Sequence, residues 1–250
     1  MDLSVSYIYG EALDLTKKYG FRVLGLMLLL AVVAFAAMFL LLPSGFFTDA
    51  SILVKVAGDP ERVFELYAQM FPAIAVVGVL CILLYVGYYA YLIAIARDEP
   101  VSILSAFKQS PLTYAKYFVV QLISTLVIVV GCMFFLFPGV YLGVRLIWAS
   151  YHVLEAPECG IFEALQWSWQ KTDGQFLTLF GLFLVSFGLN FGTIFLFQLL
   201  SIGVGMAGSV VANIIFAFVQ LACSLFLAVY INIAQLKTFV VLADGIDVSE

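Results

Sequence analysis

The chain has 250 residues, 64% hydrophobic and 11% charged, with a formal net charge of −5. Soluble domains carry roughly 25% charged residues, so this composition excludes a soluble globular domain, and the acidic balance leaves no basic patch for nucleic acid. The apolar runs are long and continuous, which excludes the short alternating segments of a transmembrane β-barrel and predicts an all-α, polytopic integral membrane bundle.

Residues 4–18 read as an amphipathic segment carrying Ile8, Leu13 and Leu15, with Lys17, Lys18 and Arg22 where it meets the first apolar run. Span 1 is expected at 21–42, too long for the apolar core of a signal peptide, and Pro43-Ser44-Gly45 ends it. Asp59-Pro60-Glu61 reads as a helix start, with Asp as N-cap and Pro at the first helical position. Span 2 follows at 71–96, kinked near Pro72, and gathers Tyr85, Tyr88, Tyr89 and Tyr91 in its second half. Tyrosines suit the interface, where the ring is in apolar surroundings and the hydroxyl is wet; the alternative is that they line a polar cavity.

A second amphipathic segment is expected at 100–110 and span 3 at 114–137, with Gln121 and Ser124 inside it. The run from 113 to 154 is too long for one span, and Pro138-Gly139 is the natural turning point. Span 4 is expected at 140–155, a third amphipathic segment at 160–171, span 5 at 176–200 and span 6 at 210–236. Lys17, Lys18, Arg22, Arg97, Lys108, Lys116, Lys171 and Lys237 then fall on one side and Lys55 and Arg62 on the other, which places both termini in the cytoplasm. Cys81, Cys132, Cys159 and Cys223 form no CxxC and read as unpaired thiols.

Ala12-Leu13-Asp14-Leu15-Thr16, Ala106-Phe107-Lys108-Gln109-Ser110 and Ala164-Leu165-Gln166-Trp167-Ser168 share one pattern, each ahead of a pair of spans. The expectation is three repeats of interfacial helix plus hairpin, an arrangement frequent in transporters.

Arg145 is the most deeply placed charge, seven residues past Pro138 or about 10 Å along a helix. A charge at that depth is costly unless paired or hydrated. Tyr141, Arg145, Trp148, His152 and Glu155 are spaced along one helix face, and Glu155 is the one carboxylate on it. Neutral partners on offer are Gln121, Asn190, Gln198, Asn213 and Gln220. Two readings stand: a site for an anion or lipid phosphate built on the guanidinium fork, or an arginine that packs helices together. Buried amides in the last hairpin hydrogen-bond across helices or line a cavity, and Gly139-x-x-x-Gly143 and Gly188-x-x-x-Gly192 permit close approach of helices. His152 is the only histidine. With no nucleophile–base pair or metal-ligand cluster beside it, neither an enzyme nor a cofactor is expected.

Phe137-Pro138-Gly139-Val140-Tyr141, then Arg145, then Ala164-Leu165-x-x-Ser168 resembles a broad family of bacterial six-span membrane proteins of unknown function. That family is related to the membrane domain of glycerophosphoryl diester phosphodiesterases, whose phosphodiesterase is a separate soluble domain. The resemblance implies an integral protein of the bacterial inner membrane and brings no assigned activity. The family's usual Asp before the Pro-containing link after span 4 is Glu155 here. The expected partners are membrane lipids, with anionic headgroups the match to a guanidinium. A second copy of the chain or another membrane protein would instead suit a scaffold.

Overall fold

The computed structural model describes residues 4–41, 60–99, 102–206 and 210–245. The expected stop at Pro43-Ser44-Gly45, Lys55, the Asp59 cap, Pro100 and the last acids of the tail lie outside the described residues.

Every element among the described residues is helical: α1 Val5–Leu41, α2 Pro60–Ala96, α3 Ile103–Ala106, α4 Pro111–Phe134, α5 Leu136–Leu146, α6 Ala149–Glu155, α7 Ile161–Lys171, α8 Phe176–Met206 and α9 Val210–Asp244. Among them five stretches are long and apolar enough to cross a membrane: Val5–Leu41, Met70–Ala96, Pro111–Phe134, Phe176–Ser201 and Asn213–Asp244. The stretch expected as span 4 is built differently. It is α5, with 11 residues, followed by α6, with 7. Neither reaches the roughly 20 residues of a full crossing.

The three amphipathic segments differ as well. The first has no terminating residue behind it, so it runs without a break into α1, whose 37 residues span about 55 Å. The second is the single turn α3, capped by the Ser102 hydroxyl, which accepts from Ser105 N at 3.2 Å. Pro111 then opens α4, whose N-cap Ser110 accepts from Thr113 N at 3.1 Å. Only the third segment, α7, is a separate helix of several turns. It starts where Gly160 N donates to Glu163 Oε2 at 3.0 Å.

The packed core occupies one half of the bundle. Most of its residues come from 8–26 of α1, 86–96 of α2, 144–154 of α5 and α6, and 229–242 of α9, joined by Tyr117 and Val120 of α4, Ala164 of α7 and Leu179 and Leu182 of α8. In α1, Ile8, Ala12, Leu15, Val23 and Leu26 form a buried stripe at helical spacing, and beyond Leu26 no residue of the described helix is fully buried. Tyrosine rings join three helices here: Tyr89 of α2 packs on Tyr151 of α6 at 5.1 Å, and Tyr151 packs on Phe239 of α9 at 5.9 Å. Tyr88 and Tyr91 are buried, whereas Tyr85 is exposed. The chain turns between α4 and α5 at Phe135, which is extended, and not at the expected Pro138-Gly139, which lie in the first turns of α5, where proline needs no helical N–H partner. Gly131 and Gly139 bring the two helices together, and a Cβ on Gly139 would overlap Cys132.

The described ion pairs lie in the same half. Arg97 pairs with Glu155 and, at 3.0 Å, with Asp244, tying the ends of α2, α6 and α9 together. Lys237 pairs with Glu11 at 3.3 Å, and Lys171 Nζ donates to Ala243 O at 3.2 Å. Lys116 Nζ donates to Pro157 O and Cys159 O at 2.7 and 2.9 Å. This charged end therefore gathers the start of α1 and the end of α9.

The end of α2 also sets where Arg97 points. Glu99 N donates to Ala94 O and Asp98 N to Ile95 O, both at 2.9 Å, the bond pattern of a Schellman cap. Its left-handed position is filled by Asp98 at φ 56°, where glycine is usual. Asp98 accepts from Lys18 Nζ at 2.6 Å and Tyr19 Oη at 2.7 Å, which joins α1 to α2. These donors, Lys18 first and then Tyr19, hold the Asp98 carboxyl below the usual carboxylate range.

A carboxylate depressed in the fold stabilises it above its unfolded pKa, about 3.9, and loses that contribution as pH falls through the folded value. We expect amide protection around Tyr19 and Asp98, corrected for intrinsic exchange rate, to be level from neutral pH to about 5 and to fall below about 4. Asp98→Asn should remove the pH dependence, and a fall that persists in that variant would refute the assignment.

Candidate functional site

The expected face Tyr141–Arg145–Trp148–His152–Glu155 is divided by the break between α5 and α6. Arg145 lies on the last turn of α5 and is 5% exposed. Its guanidinium does not meet Glu155 or any of the amides expected from the sequence. It reaches the C-terminal end of α7: Nη1 donates to Trp169 O at 3.1 Å and Thr172 Oγ1 at 3.3 Å, and Nη2 to Asp173 Oδ1 at 2.9 Å. The Trp169 ring covers it at 4.4 Å and the Tyr141 ring at 5.5 Å.

The backbone completes this clasp. Ser168 Oγ donates to Arg145 O at 2.6 Å, and Thr172 Oγ1 donates to Ser168 O at 2.8 Å. A hydroxyl from α7 thus takes a carbonyl where the α5 ladder ends, which is one recognised cause of a helix break. The cation also sits where the α7 dipole is negative.

The other members of the face go separate ways. His152 stacks flat on Trp167 of α7, with ring centroids 4.1 Å apart, and Glu155 is held by Arg97. Asn190, Gln198 and Asn213 are exposed and Gln220 is half-buried. These four do not converge on Arg145.

Trp148 turns the opposite way. It borders a partly open cavity of about 350 Å³ walled by α4, α5, α8 and α9, with Tyr9 of α1 also lining it. From α5 come Gly139, Val140, Gly143 and Val144; from α8 come Leu179, Leu182, Phe183 and Ser186. The α4 wall is Gln121, Ser124, Ile128 and Cys132, and Gln235 and Thr238 of α9 face it. Val144 and Arg145 are neighbours in sequence, yet one lines the cavity and the other is buried against α7. Near the charged end the Tyr9 hydroxyl shares a bond with Ser186 Oγ at 2.8 Å and donates to Leu182 O at 3.1 Å.

Two wall residues carry polar atoms that are buried without a partner among the described residues: the Ser124 hydroxyl and the Trp148 indole nitrogen. Such a group typically costs about 1–3 kcal/mol. The sequence signals for this wall were Gln121 and Ser124 inside span 3 and the close glycines of α5. Tyr9, Ser186 and Thr238 gave no signal. All four cysteines are free, and among the described residues no group of three His, Cys, Asp or Glu could hold a metal ion. No family model, no curated protein and no solved structure matches the chain.

Truncating Arg145 removes three charge-assisted bonds and the packing of a buried guanidinium beneath the Trp169 and Tyr141 rings, so Arg145→Ala should destabilise the fold by about 2–4 kcal/mol in detergent unfolding. Asp173 is 77% exposed, and Asp173→Asn should cost less than about 1 kcal/mol. Equal losses from the two variants would contradict the clasp.

Proposed function

We propose that this protein is a membrane module that binds or moves a lipid or small amphiphile in the cavity beside Trp148. The observation that carries the reading is the cavity itself, about 350 Å³ at the depth of the apolar helices and bordered by two buried, unpartnered polar side chains. That size falls in the usual range for small-molecule sites, roughly 300–1,000 Å³, as does the pairing of apolar walls with a few polar groups.

Arg145 serves this reading from behind. By fixing α7 against α5 and α6 it positions the wall and does not offer its own charge to the ligand. Counting the broken α5–α6 stretch as a sixth, short crossing belongs to the same proposal, as do the threefold repeat and cytoplasmic termini. So does the resemblance to bacterial six-span inner-membrane proteins, which supports a membrane role without naming a reaction.

Gly143 gives a direct test. A Cβ there meets nothing nearer than Ile128 at 3.8 Å, so a side chain can be added toward the cavity. Gly143→Phe should lower the lipid retained through purification in mild detergent by about tenfold, the effect of roughly 1.4 kcal/mol of overpacking, read by native mass spectrometry. Unchanged retention with the cavity filled would refute the reading.

A scaffold role has one observation in its favour. Gly188 and Gly192 of α8 have no atom within 4 Å of an added Cβ, which leaves a face open to another helix. That reading expects a dimer in detergent that Gly188→Ile converts to monomer, measured by light scattering.

A further inference from the structure

The open polar groups of the cavity narrow the ligand, and the inference rests on the binding role proposed above. Among the described residues no Asp, Glu, Lys, Arg or His lines the cavity. The cations of the neighbouring turns are engaged elsewhere. Lys116 donates to Pro157 O and Cys159 O, Lys237 pairs with Glu11, and Arg145 is bonded to Trp169, Thr172 and Asp173. A phosphate headgroup drawn inside would give up its hydration and meet no counter-charge.

Two primary amides line the cavity, Gln121 of α4 and Gln235 of α9. Neither side chain makes a hydrogen bond among the described residues. Neither is sealed off: Gln121 is exposed and Gln235 half-buried. In this they differ from the Ser124 hydroxyl and the Trp148 nitrogen, which are shut away from the open volume.

The amides mark one end of the cavity. Gln121 lies five residues past Lys116 and Gln235 two before Lys237, about 8 Å and 3 Å along their helices, so both are near the charged end. In the other direction the α4 wall continues through Ile128 to Cys132, about 16 Å from Gln121. Gly139 and Val140 of α5 line the cavity there, and these four residues bring no hydroxyl, amide or charge. The cavity thus runs from polar to apolar away from the charged end, the order of polarity in a lipid that stands in one leaflet.

A primary amide carries two N–H donors and a carbonyl acceptor. A group that both donates and accepts can meet either side of it, and a hydroxyl is the smallest uncharged group that does so. An ester or quinone carbonyl only accepts, which leaves the amide carbonyls without a donor in apolar surroundings. We infer that the cavity takes an uncharged lipid alcohol, its hydroxyl hydrogen-bonded at the end that carries the Gln121 and Gln235 amides and its chain laid along α4 toward Cys132. Diacylglycerols and polyprenols both present this chemistry.

The test is titration of the full-length protein in mild detergent with dioleoylglycerol, geranylgeraniol, the methyl ether of each and dioleoylphosphatidylglycerol, read by native mass spectrometry. At least one alcohol should bind, and which one does so identifies the source. Its methyl ether keeps the chain and accepts but cannot donate, so it should bind about threefold to tenfold more weakly, the worth of one net hydrogen bond. This comparison is made on the wild type and does not depend on any variant folding. Gln121→Leu or Gln235→Leu should bring the alcohol down to the level of its ether and leave the ether unchanged. Gly143→Phe should abolish the binding of both. If neither alcohol binds, if alcohol and ether bind equally, or if the anionic lipid is the probe that Gly143→Phe removes, the ligand class is overturned. The binding role survives that result as long as Gly143→Phe still lowers the lipid retained through purification. If Gly143→Phe alters neither the probes nor the retained lipid, the binding role falls as well.

Discussion

A buried guanidinium organises this bundle. Arg145 cannot be left without partners in apolar surroundings, and the partners it takes belong to the last turn of α7 and the residues just past it. Satisfying it folds the amphipathic helix back under α5 and α6. The Ser168 hydroxyl then takes the Arg145 carbonyl at the point where α5 gives way to α6. One side chain and one carbonyl thus fix the position of α7, the end of α5 and the direction in which Trp148 leaves the chain.

The two sides of α5 do different physical work. One side is polar and closed, with both terminal nitrogens of Arg145 bonded and Nε left without a partner among the described residues. The other is apolar and open, with Gly139, Gly143 and Val144 facing the cavity. Close contact between Gly139 and Cys132 draws α4 and α5 together at the hairpin tip, and Tyr9 ties α1 to α8 at the opposite end through Leu182 and Ser186. The charged end keeps these walls in register: Arg97 joins α2, α6 and α9, and Asp98 joins α2 to α1. Exposed ion pairs contribute little individually, so the worth of this belt lies in linking helix ends whose far halves are exposed.

The membrane class, the all-α architecture and most helix positions were legible in the sequence, because apolar runs of spanning length need no tertiary information to be read. The separate amphipathic helix at 161–171, the importance of Arg145 and the free cysteines were legible for the same local reason, whereas the turn expected at Pro138-Gly139 falls earlier, at Phe135. The break after Leu146 was not legible, since it arises from a hydroxyl twenty-three residues away in sequence. Nor was the fusion of the first amphipathic segment with α1, where helix-forming residues continue across the expected boundary.

What the sequence determined by itself was which residues had to leave water and which single charge went with them. Which group would answer that charge was decided by the tertiary structure. Glu155, on the same helix face, pairs with Arg97, while Asp173, beyond the next helix, pairs with Arg145. Helical periodicity places residues around one helix and is silent on which neighbour each side of that helix will meet. The cavity followed from the same choice, because with α7 held against one side of α5 the other side was left to face α4, α8 and α9.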